Sequence, residues 1–450
     1  MKARGLAALP HRRAAALAVP AIASNAAVPL AGLVDTAVLG HFTSAVELGA
    51  VGLGAAVVAS VFWAFSFLRP GTTALVGQAF GADNRDTAVR HLQRALALAA
   101  LLGLAWVALQ WVIVPALVTL LAQGAAAGPL AAEYSLIRGL SLPGVLVTLA
   151  AVGYFIGTQN TRTPLLIAAT VAGLNVGLDF AFIAGFGWGS AGAAWATFAA
   201  EWTGAALAAA LLLRGLGADG RATLRDWSDA SVRTGWRSLM SMNGNLVART
   251  ALLMTAITVV ASFGSRYGAE VLAANAILLQ LMYLASYSLD GYATAAEAMA
   301  AREIGGRDVG AFHRANAATA LAGAAIAAAM TLAFWLGRDL ILAALTDLPG
   351  VTAVAADYWW AAVALPVVSG AAWMLDGIFL GTGRARDMVV SMAVSVVLVF
   401  AGVLAVGAAL GALTNALLWA AFLAMNVARA LTLGARYWHL TRTQGWLARG

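Results

Sequence analysis

Apolar stretches of helical span length, free of acidic and basic side chains, recur along the chain. Positions 14–34, 48–68, 139–161, 180–200 and 315–337 are such runs, each long enough to cross about 30 Å of hydrocarbon as an α-helix. The runs 95–132 and 388–428 are about twice that length, so each predicts two spans, broken near Gln123-Gly124 and near 407–411. Polar and charged connections then delimit twelve spans, at 14–40, 48–79, 90–118, 128–157, 163–186, 190–214, 232–262, 270–300, 312–337, 351–381, 387–408 and 413–437. The pattern predicts an all-α polytopic membrane protein. Composition agrees: 62% hydrophobic against 10% charged residues leaves too little polar surface for a soluble chain of this length.

The spans repeat. Gly40 aligns with Gly264, Leu48 with Leu272 and Gly81 with Gly305, and Gly157-Thr158 and Arg162 align with Gly381-Thr382 and Arg386, all at one offset of 224 residues. One offset over separated landmarks predicts two homologous six-helix lobes, residues 1–213 and 232–450, joined by the polar linker 214–231. Six is even, so both lobes share one orientation, and their axis of relation runs along the membrane normal. The even-numbered connections carry the arginines, from Arg85 to Arg386, whereas the odd ones hold only Arg266 and Arg338. By the positive-inside rule the even connections and both termini are expected in the cytoplasm. The basic, then apolar, start resembles a signal peptide, but no convincing cleavage site precedes Asp35, so an uncleaved first helix is expected.

Several chemistries are excluded or disfavoured. The chain has no cysteine, hence no disulfide, thiolate metal site or cysteine nucleophile. Its net charge of +7 is not gathered into a nucleic-acid patch, and its five histidines have no metal-ligand spacing. GADNRD and GRARD lack the Lys-Ser/Thr that completes a phosphate cradle. No cofactor or bound metal is expected, and no enzyme activity. Trp359-Trp360, Trp438 and Trp446 read as interfacial anchors or lipid-facing residues.

Ionisable side chains inside spans cost about 2.5–3.5 kcal/mol each on insertion scales, so each asks for a reason. Asp35 follows Pro20 and Pro29 in the first span. Each proline removes an intrahelical hydrogen bond and permits a bend, which makes this helix a candidate switch beside a titratable carboxylate. A place at the outer interface, or a pairing with an arginine, is the competing account. Asn175 and Asp179 stand four apart and share one helical face, a pattern suited to a proton or cation site. Arg138 is the candidate counter-ion to either aspartate. In the second lobe Asp290 and Glu297 share a face, Asp376 lies in MLDGIFLG and Arg249 is mid-span. One arginine with three acids is either a buried ion-pair network or a coupling site.

At these motifs the chain resembles the multidrug and toxic compound extrusion (MATE) family, in its DNA-damage-inducible F (DinF) branch. The matching pieces are VPLAGLVDTAVLGHF at 28–42, GLNVGLDFAF at 173–182, GSAGAAWATFAAEW at 189–202, YSLDGYATAAEA at 287–298 and LDGIFLGTGRARDM at 375–388. The resemblance implies two six-helix bundles in a V shape, working by alternating access in the bacterial inner (cytoplasmic) membrane. It also implies antiport, with protons or sodium ions entering as organic, frequently cationic, compounds leave, and it makes Asp35, Asn175 and Asp179 the coupling residues. The sodium-linked acids of other branches fall near Asp376, in a different local motif. The expected partners are a small-molecule substrate, protons or sodium ions and the lipid bilayer, with the chain acting as a monomer. A flippase for lipid-linked intermediates is the nearest rival; it would call for a more basic interior than Arg69, Arg138 and Arg249 supply. A channel and a membrane enzyme working with Asp35 and Asp179 rank below it.

Overall fold

Each apolar run folds as helix, and prolines and exposed charges set the breaks. The computed structural model describes residues 9–122, 126–228 and 235–447. The first half comprises α1 (His11–Phe42), α2 (Ala45–Ala64), α3 (Leu68–Gly81), α4 (Arg85–Ala122), α5 (Gly128–Gly139), α6 (Leu142–Gly157), α7 (Arg162–Asp179), α8 (Gly189–Gly215) and the short α9 (Gly217–Arg225). The second comprises α10 (Trp236–Phe263), α11 (Ala269–Gly305), α12 (Val309–Leu336), α13 (Arg338–Leu345), α14 (Pro349–Asp357), α15 (Trp359–Gly381), α16 (Ala385–Ala393), α17 (Ala401–Ala409) and α18 (Asn415–Arg442). A π-helical segment, Phe180–Gly185, extends α7, and another, Val394–Phe400, joins α16 to α17. Among the described residues eleven helices are long and apolar enough to span a membrane, and α5 with α6, bent by 45°, makes the twelfth.

That bend follows from Pro143 in the first turn of α6, which has no N–H to give the carbonyl of Gly139. The freed carbonyl accepts a hydrogen bond from the indole of Trp106 at 3.0 Å instead. The expected tenth span, 351–381, is divided: the exposed Asp357 closes α14, and only α15 has membrane length. The break expected at Gln123-Gly124 lies outside the described residues. Trp359 (4% exposed) and Trp446 (2%) are buried, against the expectation of interfacial anchors, whereas Trp360 and Trp438 are exposed. Trp359 gives its indole N–H to the carbonyl of Phe334 at 2.7 Å, and Trp446 packs on Phe312 and Tyr437. An indole with a hydrogen-bond partner loses little by burial.

The helices form two compact units, one of Ala23–Met240 and the other of Met1–Ile22 with Ser241–Gly450. The first turns of α1 therefore belong with the second half of the sequence. There Arg13 pairs with Glu303 at 2.8 Å, and Gly291 lets α11 approach Ala18 and Ile22. In the other unit the linker docks through α9: Gln93 on α4 donates to the carbonyls of Leu224 and Asp226, both at 3.0 Å.

The duplication is visible in backbone detail. After α3, α6, α11 and α15 the chain turns through Asp83, Gln159, Arg307 and Gly383, all in the left-handed region with φ from 56 to 73°. Each turn is closed by the six-residue backbone bond that ends a helix in this way, for example Asn160 N–H to Phe155 O at 2.8 Å and Arg384 N–H to Phe379 O at 3.0 Å. Gly157 lies against Thr73 and Gly77, and Gly381 lies against Glu297 and Ala301, so closely that a Cβ would run into backbone in both. These contacts differ by the same 224 residues. Close backbone approach through small residues is how helices associate where lipid removes the hydrophobic drive.

Candidate functional site

The site in the first unit forms where α1, α7 and α8 meet. Val38 and Leu39 on α1 are buried against Ile183, Ala193 and Ala194, with Tyr134 of α5 closing the cluster. This packing turns Asp35, one helical turn earlier, toward α7. Asp179, the last α-helical residue before the π segment, is 0% exposed, and Asn175, one turn earlier, is 3% exposed. Asn175 Nδ2 donates to Asp179 Oδ2 and to Thr197 Oγ1, both at 3.2 Å, while the Thr197 hydroxyl donates to the carbonyl of Ala193 at 3.0 Å. The amide is thereby fixed with its donors toward the carboxylate. The carboxyls of Asp35 and Asp179 lie within hydrogen-bonding reach of each other. Their other oxygens, Oδ1 of each, are buried and meet no protein donor.

Two facing carboxyls bring acceptors only. Ionised together they repel, the more so because Asp179 is fully buried. A single proton shared between two such carboxyls turns their repulsion into an O–H···O bond. A π-helical turn widens the backbone just after Asp179, a distortion found frequently at functional sites.

Arg138 does not pair directly with either aspartate. Its guanidinium is held in a fork by Glu201 on α8, at 2.6 and 3.1 Å, and gives a further bond to Ser141 at 3.0 Å. The charge of Arg138 still reaches both Asp35 and Asp179. Glu201 had no role from spacing alone, because it stands 63 residues away on another helix. Of the switch-helix prolines, Pro20 lies inside the continuous α1 and the side chain of Pro29 is outside the described residues.

The second unit gathers a different cluster. Arg249 on α10 and Arg429 on α18 both contact the same oxygen, Oδ2, of Asp376 on α15. The charge of Asp290 on α11 acts on both guanidiniums. Two arginines stand here, not the one expected from sequence. Arg429 was overlooked near the end of the last span, although an arginine inside an apolar run was the available signal. Glu297 is buried two turns beyond Asp290, against Gly381 of α15. Among the described residues no group of three or more metal-ligating side chains occurs.

Comparison with known proteins follows the same division. The MatE family model matches twice, over residues 20–181 and 247–406. Asp35, Asn175 and Asp179 fall in the first match, and Arg249, Asp290, Glu297 and Asp376 in the second. The DNA damage-inducible protein F of Escherichia coli K12 is 34% identical over 441 residues, 96% of this chain and 93% of that protein. In fold, a MOP superfamily transporter from Pyrococcus furiosus superposes with a TM-score of 0.85 at 19% identity, over 100% of this chain and 99% of that one. An outward-facing multidrug resistance MATE transporter gives 0.83 at 20% identity, over 99% of each chain.

Proposed function

The chain belongs to the MatE family of multidrug and toxic compound extrusion transporters, and on that premise we propose that it is a secondary antiporter, exporting small organic, often cationic, compounds in exchange for protons. The observation that carries this is the pair of carboxyls, half-buried Asp35 on α1 and fully buried Asp179 on α7, facing each other with a donor only on one side, from Asn175. Protonated once, the pair is held by an O–H···O bond and draws α1 onto α7. Deprotonated, it repels, frees α1 and presents negative charge to a cation. Proton and cationic substrate thus compete for one charge, which is the thermodynamic requirement for exchange.

The arginine-bearing connections support a cytoplasmic location for both termini in a bacterial inner-membrane protein. The proton then arrives from outside and leaves inward as the transporter reorients. One charge moved across 100 mV supplies about 2.3 kcal/mol, enough to bias such a cycle. Access alternates between the two sides of the membrane, with α1, which carries Pro20 and Pro29, as the bending element.

A second reading has one observation in its favour. The unpartnered Oδ1 atoms of Asp35 and Asp179 are also oxygens of the kind a hard cation takes, so sodium is the alternative coupling ion. Proteoliposomes loaded with a fluorescent cation separate the two. Uptake driven by an imposed proton gradient without sodium, and abolished in Asp35→Asn, is the expected result. Transport that follows only a sodium gradient assigns the pair to sodium, and transport that survives Asp35→Asn unchanged removes the pair from coupling.

A further inference from the structure

The two guanidiniums of the second unit bring about ten N–H donors to two carboxylates, Asp376 and Asp290, which balance their charge. Arg429 is 1% exposed, and its charge is permanent, since guanidinium does not deprotonate in proteins. Its one carboxylate contact, Asp376 Oδ2, is shared with Arg249. Arg429 Nη1 and Arg249 Nε are buried N–H groups with no acceptor. A buried charged donor left without an acceptor is costly, so these helices, α10 and α18, enclose unspent donors in a place where water is scarce. Asp376 Oδ1 and the Asp290 carboxylate face the same cluster. They balance the two guanidiniums, so an incoming anion competes with Asp376 for the shared contact. Beside Asp290, one and two turns back on α11, Tyr287 and Tyr283 stack at 6.4 Å and offer an aromatic wall.

We propose that Arg249 and Arg429 form an oxyanion-binding site in the second unit, where the oxygens of a carboxylate or an inorganic oxyanion take up the N–H groups that Asp376 leaves unmet. Planar, two-oxygen anions match the guanidinium fork, whereas a spherical halide does not. This site is separate from the Asp35–Asp179 pair and requires no gradient, so its test is independent of the antiport mechanism.

The test is thermal unfolding of the full-length purified protein in detergent, titrated with sodium benzoate, sodium sulfate or sodium chloride at constant ionic strength. Benzoate is expected to raise Tm saturably by about 2 °C, with chloride silent. A matching response to sulfate assigns the site to inorganic oxyanions as well, and none restricts it to organic carboxylates. Asp376→Asn removes the competing carboxylate without opening a cavity and is expected to lower the half-saturating benzoate concentration about tenfold. The double variant Arg429→Gln with Asp376→Asn removes one charge of each sign and is expected to abolish the response. Should the single Asp376→Asn protein fail to fold, Arg249→Lys keeps the charge and loses the fork, and half-saturation is expected to rise several-fold. Chloride acting as well as benzoate, or half-saturation unmoved by these substitutions, would overturn the proposal.

Discussion

Glu201→Gln isolates the fork that holds Arg138. Two charge-assisted bonds, at 2.6 and 3.1 Å, join the pair, and its side chains are only 10% and 18% exposed. The amide keeps the shape and one acceptor but loses the charge, and one arm of the fork then faces an NH2. Charge-assisted bonds contribute about 1.5–3 kcal/mol each and neutral ones about 0.5–1.5. With one bond weakened and the other lost, destabilisation of about 2–4 kcal/mol is expected. The pair cannot be discounted as a surface bridge, because the helices around it exclude water. A functional effect accompanies this. The charge of Arg138 already reaches Asp35 and Asp179, and without Glu201 that charge is uncompensated beside them. A nearby cation favours ionised carboxylates, so a proton is held less tightly and the pH profile of proton-driven uptake is expected to move toward lower pH. Thermal unfolding in detergent measures the first effect, and uptake by proteoliposomes across a pH series measures the second. A loss below about 0.5 kcal/mol would show that the fork is not formed in the membrane protein. A stability loss with an unmoved pH profile would show that Arg138 does not act on the aspartates.

Further outcomes follow from the same geometry. Gly381→Ala places a Cβ against the backbone of Glu297 and Ala301, and Gly157→Ala places one against Thr73 and Gly77; each is expected to cost about 1–3 kcal/mol in Tm-derived stability, and an unchanged Tm would rule out the close helix approach. Asn275 and Asn415 exchange reciprocal bonds of 2.8 and 3.0 Å, and Trp419 donates to Asn275 at 2.8 Å, all buried. Asn275→Leu strands the other two and is expected to lose about 2–4 kcal/mol, with much of it recovered when Asn415→Leu is added; equal losses in single and double variants would contradict a closed network. Thr197→Val removes the hydroxyl that accepts from Asn175 and is expected to weaken proton-driven uptake several-fold while leaving expression intact, whereas wild-type uptake would show that the amide needs no such anchor.

The sequence by itself determined that the chain is a series of about twelve apolar helices, because an apolar run of about twenty residues has few options but a helix across lipid; the division of 351–381 at Asp357 was not legible in it. The duplication was legible as well, since Gly81 and Gly157 recur as Gly305 and Gly381 at one offset of 224 residues. The grouping of Asn175 with Asp179 was legible for the same reason: a local bond at four-residue spacing is set by helix geometry. Partners on different helices were not legible. Arg138 and Glu201 lie 63 residues apart, and Arg249, Asp376 and Arg429 lie on three helices. Which acid meets which arginine depends on helix rotation and approach, set by glycine contacts such as Gly377 on Ala293. Burial of Trp359 and Trp446 was hidden for a related reason: the same indole suits an interface or a core, and only a neighbouring carbonyl or ring decides between them. Local periodicity thus wrote the helices into the sequence, while the pairing of charges waited on packing, because an ion pair in lipid forms wherever the nearest helix brings an opposite charge.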